Sequence, residues 1–168
     1  SAKRDAEQTG GRSVVVTFEP HPIRVLAPER APRLLASSRH KELLLDCMGV
    51  DALLVVPFDR VFAELTADEF VQRIHEAARE LSSISVGSGW RFGAGRSGDV
   101  AHLRSLGEGL GFRTLPVEPV ALEGEPISST RIRSAITDGD MALAGRLLGR
   151  PYTVLGTVVA GKQMGRTI

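Results

Sequence analysis

Three short stretches of the chain gather residue types that handle phosphates or planar rings. The sharpest is Ser128-Ser129-Thr130-Arg131-Ile132-Arg133. Serine and threonine cap helix N-termini well, so a plain helix start is one reading. A helix N-terminus, however, carries unpaired N–H groups and positive partial charge, and it favours Asp or Glu in its first turn. Here Arg131 and Arg133 occupy the early turns, and no Glu or Gln completes a capping box. Each exposed cation so placed costs roughly 0.3–1 kcal/mol. A bound phosphate reverses the sign of that problem, because amides, hydroxyls and a guanidinium then converge on one anion. Phosphate binding is favoured, with plain capping open beside it.

The second stretch, Thr17-Phe18-Glu19-Pro20-His21-Pro22, sets His21 between two rigid residues at the end of a strand. Such a histidine donates to a phosphate or ties down its own loop, and spacing does not choose between the two. Glu19 orients it or is solvated. The third stretch runs Gly87-Ser88-Gly89-Trp90-Arg91-Phe92-Gly93-Ala94-Gly95-Arg96-Ser97-Gly98. Its glycines permit close ligand approach, and its aromatics either stack on a planar ring or tuck into the core. It is not a P-loop, since no Gly-Lys-Ser/Thr follows, and it lacks the dinucleotide fingerprint at proper spacing. His40, His75 and His102 fall on predicted helices without metal-ligand spacing and read as solvated or helix-face residues.

The elements that must position these stretches alternate in type. Ser13 to Phe18 and Asp51 to Pro57 are short β-branched runs without alternation, the pattern of buried strands. The first stops where Pro20 and Pro22 forbid both ladder donation and helix. A helix is expected from about Ser38 to Met48, closed by Gly49. Asp59 and Arg60 read as a turn. Thr66 and Glu69 form a capping-box signature, opening a helix with Phe70, Ile74, Ala77 and Leu81 on one face. Then follow a strand at Ile84 to Val86, a helix at Val100 to Glu108, a strand at Phe112 to Val117, a helical stretch at Met141 to Leu148, and a strand at Thr153 to Ala160. Ser1 to Arg12 is expected to be frayed or the tail of a helix. Such alternation implies an α/β fold with a mostly parallel, doubly wound sheet. Ligands of such sheets sit beyond the carboxyl ends of the strands, which selects Glu19 to Pro22, Gly87 to Gly98 and the loop entering Ser128.

Bulk properties narrow the class. The 168 residues make one domain, or one domain and a piece of another. Basic and acidic side chains number 21 and 20 without a long run of one sign, so neither nucleic acid nor membrane is an expected partner. No apolar stretch approaches the ~20 residues that cross a bilayer, no secretory signal is visible, and the expected address is the cytoplasm. Cys47 is the only cysteine, which excludes an intrachain disulfide and a cysteine-rich zinc cage; it reads as a small buried apolar residue.

Read in order, Val16-Thr17-Phe18-Glu19-Pro20-His21-Pro22, Gly49-Val50-Asp51, Pro57-Phe58-Asp59, Arg91-Phe92-Gly93, Ile127 through Arg133, and Leu147-Leu148-Gly149-Arg150-Pro151-Tyr152 resemble the prokaryotic bifunctional riboflavin kinase/FAD synthetase family. The resemblance implies a nucleotidylyltransferase-type, Rossmann-like fold that moves AMP from ATP to FMN, with Mg²⁺, giving FAD and pyrophosphate. The protein's part in such a reaction is alignment and charge stabilisation. By family position, Ser128, Ser129, Thr130, Arg131 and Arg133 hold ATP phosphates, and His21 and Arg133 are the catalytic residues beside them. Gly87, Trp90, Arg91, Phe92 and Gly93 border the flavin. The partners implied are small-molecule nucleotides, a flavin and a C-terminal kinase domain.

The same resemblance divides the chain into residues 1–150, an adenylyltransferase domain, and residues 151–168, the entry strand of the kinase β-barrel. Two departures bear on activity. The family's Gly-x-Phe-Asp-Gly-x-His-x-Gly-His signature is absent, so the sheet is expected to lack its first strand–helix unit and turnover to be very weak or absent. Gly89 stands where the family usually has Asp or Asn. A non-catalytic flavin- or nucleotide-binding module, or an adenylyltransferase for another phosphate, are the alternatives.

Overall fold

The computed structural model describes residues 2–159. Helix α1 (Ala2–Thr9) occupies the segment expected to be frayed or the tail of a helix. An eight-residue helix is marginal alone, and tertiary bonds hold this one. The Asp5 carboxylate accepts from Ser83 Oγ at 2.6 Å and Arg113 Nη2 at 2.7 Å, and Ala6 is buried. The Ser83 hydroxyl and then Arg113 hold the Asp5 carboxyl below its usual range.

Strand β1 (Val14–Glu19) pairs in parallel with β2 (Ala52–Pro57), and β3 (Ser83–Gly87) in parallel with β4 (Arg113–Val117). The parallel α/β character matches expectation. The single wound sheet does not, since among the described residues no ladder joins the two pairs. A shared core joins them instead. Phe18 of β1 and Ile84 and Val86 of β3 pack on Phe70, Val71, Phe92, Leu103 and Phe112. That core is closed by α5 (Ala67–Ala78) and α6 (Val100–Leu110). The Thr66 capping box forms as read: Thr66 N–H donates to Glu69 Oε2 at 2.8 Å, and Glu69 N–H to Thr66 Oγ1 at 3.2 Å.

Several expectations fail for physical reasons. Strands β1 and β2 are not buried, because Val14, Val16 and Leu54, which share one face, stay 50%, 39% and 47% exposed. Pro22 does not exclude a helix; it opens α2 (Pro22–Leu26) at the first position, where a missing N–H costs nothing. Asp59 is not in a plain turn but caps α4 (Arg60–Ala63), its Oδ1 accepting from Phe62 N–H at 2.7 Å. Helix α3 (Ser38–Cys47) ends on an exposed Cys47, beside an exposed Met48 and beyond the packed turns, so the thiol is not a core residue.

A hairpin of β5 (Ala121–Leu122) and β6 (Glu125–Pro126) precedes the paired helices α7 (Ser129–Thr137) and α8 (Met141–Leu148). Its tip, Glu123 and Gly124 at φ of 58° and 81°, has the positive φ pair of a type I′ turn. Ile132, Ala135, Ala144 and Leu147 make a second, smaller core. Thr153 to Val159 form no strand, having no neighbour to complete a ladder, and Ala160 lies outside the described residues. The segment docks instead: Thr153 Oγ1 lies 3.0 Å from Nε2 of His40, which is buried rather than on a wet helix face. Among the described residues no helix is long and apolar enough to cross a membrane.

Candidate active site

Two cavities meet at the carboxyl end of β1. The first, about 380 Å³, is cationic and is lined by Thr17, Glu19, His21, Arg24, Lys41 and Arg91, among others. His21 is placed by its own local structure. It is the N-cap of α2, and Nδ1 accepts from the Ile23 N–H at 3.3 Å. An accepting Nδ1 assigns the ring proton to Nε2, leaving that N–H as the free donor. Burial, then Arg133, Lys41 and Arg24, hold the His21 pKa below its ordinary value, with Glu19 opposing. The pocket therefore favours the neutral imidazole over a further cation. Lys41 Nζ donates to Thr17 Oγ1 at 3.0 Å. Glu19, the one carboxylate among the lining residues, accepts from Ser38 Oγ at 2.5 Å.

The second cavity, about 540 Å³, is aromatic: Phe18, Phe58, Phe62, Phe70, Trp90 and Phe92 line it. Phe18, Pro22, Trp90 and Arg91 belong to both cavities, so the two share a wall. Trp90 stacks on Phe92 with centroids 4.4 Å apart and planes 15° from parallel. The two aromatics divide the roles left open above, for Phe92 is buried in the core while Trp90 stays half-exposed at the rim. Gly93 turns the chain here at φ 73°, and a Cβ would fall 2.5 Å from the Ala67 nitrogen, so no side chain fits. Arg91 pairs with Asp99 at 3.4 Å.

Helix α7 begins with Ser128 as N-cap, its Oγ accepting from Arg131 N–H at 3.2 Å, and its first turn holds no acid. Ser129 and Thr130 are exposed. Arg133 is fastened through Nε to the Arg33 carbonyl at 2.7 Å, and its charge reaches His21. A larger, shallow groove of about 700 Å³ between α3 and β2 contains none of the predicted site residues.

The family model for FAD synthetase matches residues 1–131. The chain belongs to the FAD synthetase family. Curated relatives named bifunctional riboflavin kinase/FMN adenylyltransferase include one from Escherichia coli K12, 41% identical over 92% of this chain, and one from Pseudomonas fluorescens, 37% identical over 97%. The chain spans about half the length of these relatives, 50% and 52% respectively. A solved structure described as a macrolide-efflux protein from Streptococcus pneumoniae superimposes at a TM-score of 0.82 with 33% identity, over 99% of this chain and 54% of that one. Its likeness supports the fold; its name describes that protein.

In this chain His21 and Arg133, 112 positions apart in sequence, come into electrostatic reach of each other. Arg131 does not join them. Its Nη1 donates to the Leu122 and Glu125 carbonyls at 3.1 Å each, and its Nε faces the Glu125 carboxylate at 3.3 Å. It clamps the β5–β6 hairpin through Nη1 and Nε. Lys41 and Arg24 were missed by the sequence reading. The signal for Lys41 was available, because α3 also opens without an acid and carries Arg39 and Lys41 in its early turns. Gly87 borders the Trp90 turn through its carbonyl, which accepts from Trp90 N–H at 2.9 Å. At Gly89 a Cβ would meet nothing within 4 Å, so the backbone does not require glycine there. Among the described residues no group of three or more His, Cys, Asp or Glu side chains could hold a metal ion.

Proposed function

We propose that this chain carries the FMN-adenylating half of a riboflavin kinase/FAD synthetase, moving AMP from ATP to FMN with release of pyrophosphate. One observation carries the reading: an aromatic cavity shares a wall with a cationic pocket, which suits a ligand with a flat ring and an anionic tail. Trp90, Arg91, Phe92, Gly93 and Gly87 form the flavin side. The Nε2–H of His21 and the guanidinium of Arg133 meet phosphate oxygens, and Ser128, Ser129 and Thr130 offer hydroxyls and amides to the ATP phosphates.

The chemistry needs no covalent intermediate. The FMN phosphate attacks the α-phosphorus in line, and the residues hold the reactants and offset charge on the oxygens. Mg²⁺ carried on the ATP phosphates would supply charge neutralisation there. The intact protein continues into a kinase domain that makes the FMN, with residues from Pro151 onward leading into it, and works in the cytoplasm.

Trp90 is the only tryptophan and stands at the wall between the cavities, so its fluorescence reports ligand entry. FMN is expected to quench it saturably and to be converted to FAD when ATP is added. Absence of quenching removes the flavin assignment. A second reading, a flavin-binding module without turnover, is favoured by the vacant space at Gly89; binding without any FAD formation would select it.

A further inference from the structure

We infer that Lys41 is the specificity residue for phosphorylated flavin: its ammonium seats the terminal phosphate in the cationic pocket while the ring lies in the adjoining aromatic cavity. The inference rests on the reading of that cavity as the flavin site. Four residues line both cavities, so the two adjoin, one apolar and the other cationic.

The cations around the pocket are not equivalent. Arg91 is paired with Asp99, Arg24 is exposed, and Arg133 stands on α7 with the hydroxyl-rich turn, tied to the Arg33 carbonyl. Lys41 comes from the opposite side, on α3, and is half-buried. Among the described residues it has no carboxylate partner, and Thr17 Oγ1 holds it at 3.0 Å. An ammonium has three donors; one is spent on Thr17 and two are left for an anion in the pocket. The competing carboxylate, Glu19, already accepts from Ser38. A neutral polyol chain gains little from a fixed ammonium, whereas a phosphate gains a charge-assisted bond. The pocket thereby separates FMN from riboflavin, which share the ring and differ in that one group.

The test titrates FMN and riboflavin separately into the full chain, following Trp90 fluorescence, for the wild type, Lys41→Met, Lys41→Arg and Thr17→Val. The wild type is expected to prefer FMN by about ten-fold or more. Lys41→Met should erase that preference by weakening FMN alone, and Lys41→Arg should keep most of it. Thr17→Val keeps the ammonium and removes its anchor, so it should lose part of the preference; it also decides the matter if Lys41→Met fails to fold. Three results overturn the inference while leaving the flavin cavity intact: equal wild-type affinity for the two flavins, an unchanged preference in Lys41→Met and Thr17→Val, or an equal loss for both ligands. A wild type that binds neither flavin overturns the flavin reading and this inference together.

Discussion

Strands β3 and β4 lie under α5 and α6, and Val71 and Leu103 in that half are fully buried. Strands β1 and β2 are as apolar, yet they leave Val14, Val16 and Leu54 close to half open. The cationic pocket lies at the end of the open pair, and the aromatic cavity at the seam between the pairs. The contrast separates two uses of hydrophobic sequence. One half converts it into stability; the other presents a frame from which polar groups reach a ligand.

Substitutions can break that contrast. Leu103→Ala is expected to cost about 2–5 kcal/mol, the range for emptying a closed core, whereas Val16→Ala should cost under about 1 kcal/mol, as partly exposed positions do. Urea denaturation of both variants measures the gap, and equal losses would mean that the β1–β2 face is covered in solution. The next effect concerns binding. Arg133→Ala should weaken ATP by about 1–3 kcal/mol in calorimetry, while Arg131→Ala should leave ATP affinity nearly unchanged and loosen the β5–β6 hairpin. A reversal of the two would place the wrong guanidinium in the site.

The smallest effect is a titration. His21 has a folded-state pKa below its ordinary 6.5. The unfolded chain thus takes up the proton first, and this residue's contribution to stability is present above about that pH and is lost as pH falls below it. A phosphate in the pocket favours the imidazolium, offsetting Arg133, Lys41 and Arg24. Addition of pyrophosphate should therefore move the His21 midpoint upward, read from the ring Cε1–H resonance. An unmoved midpoint would detach His21 from the anion site.

Features decided by neighbours in sequence were legible. The Thr66–Glu69 box, the strand at Val14, and the acid-free start of α7 all depend on residues within one turn or one run. Features decided by distant neighbours were not. Nothing in Val14-Val15-Val16 tells whether both strand faces are covered, and nothing near His40 announces its bond to Thr153. The two arginines of α7 show the limit most clearly. Two positions apart on a helix they point about 200° apart, so a charge argument that treats them alike cannot say that one comes within reach of His21 and the other meets a hairpin.

The His40–Thr153 bond carries a consequence for motion. One hydrogen bond contributes about 0.5–1.5 kcal/mol, which by itself favours the docked position of the chain around Thr153 by about 2- to 13-fold at room temperature. One end of it is the residue immediately before Lys41, so the contact is made within one peptide unit of the position that carries the ammonium.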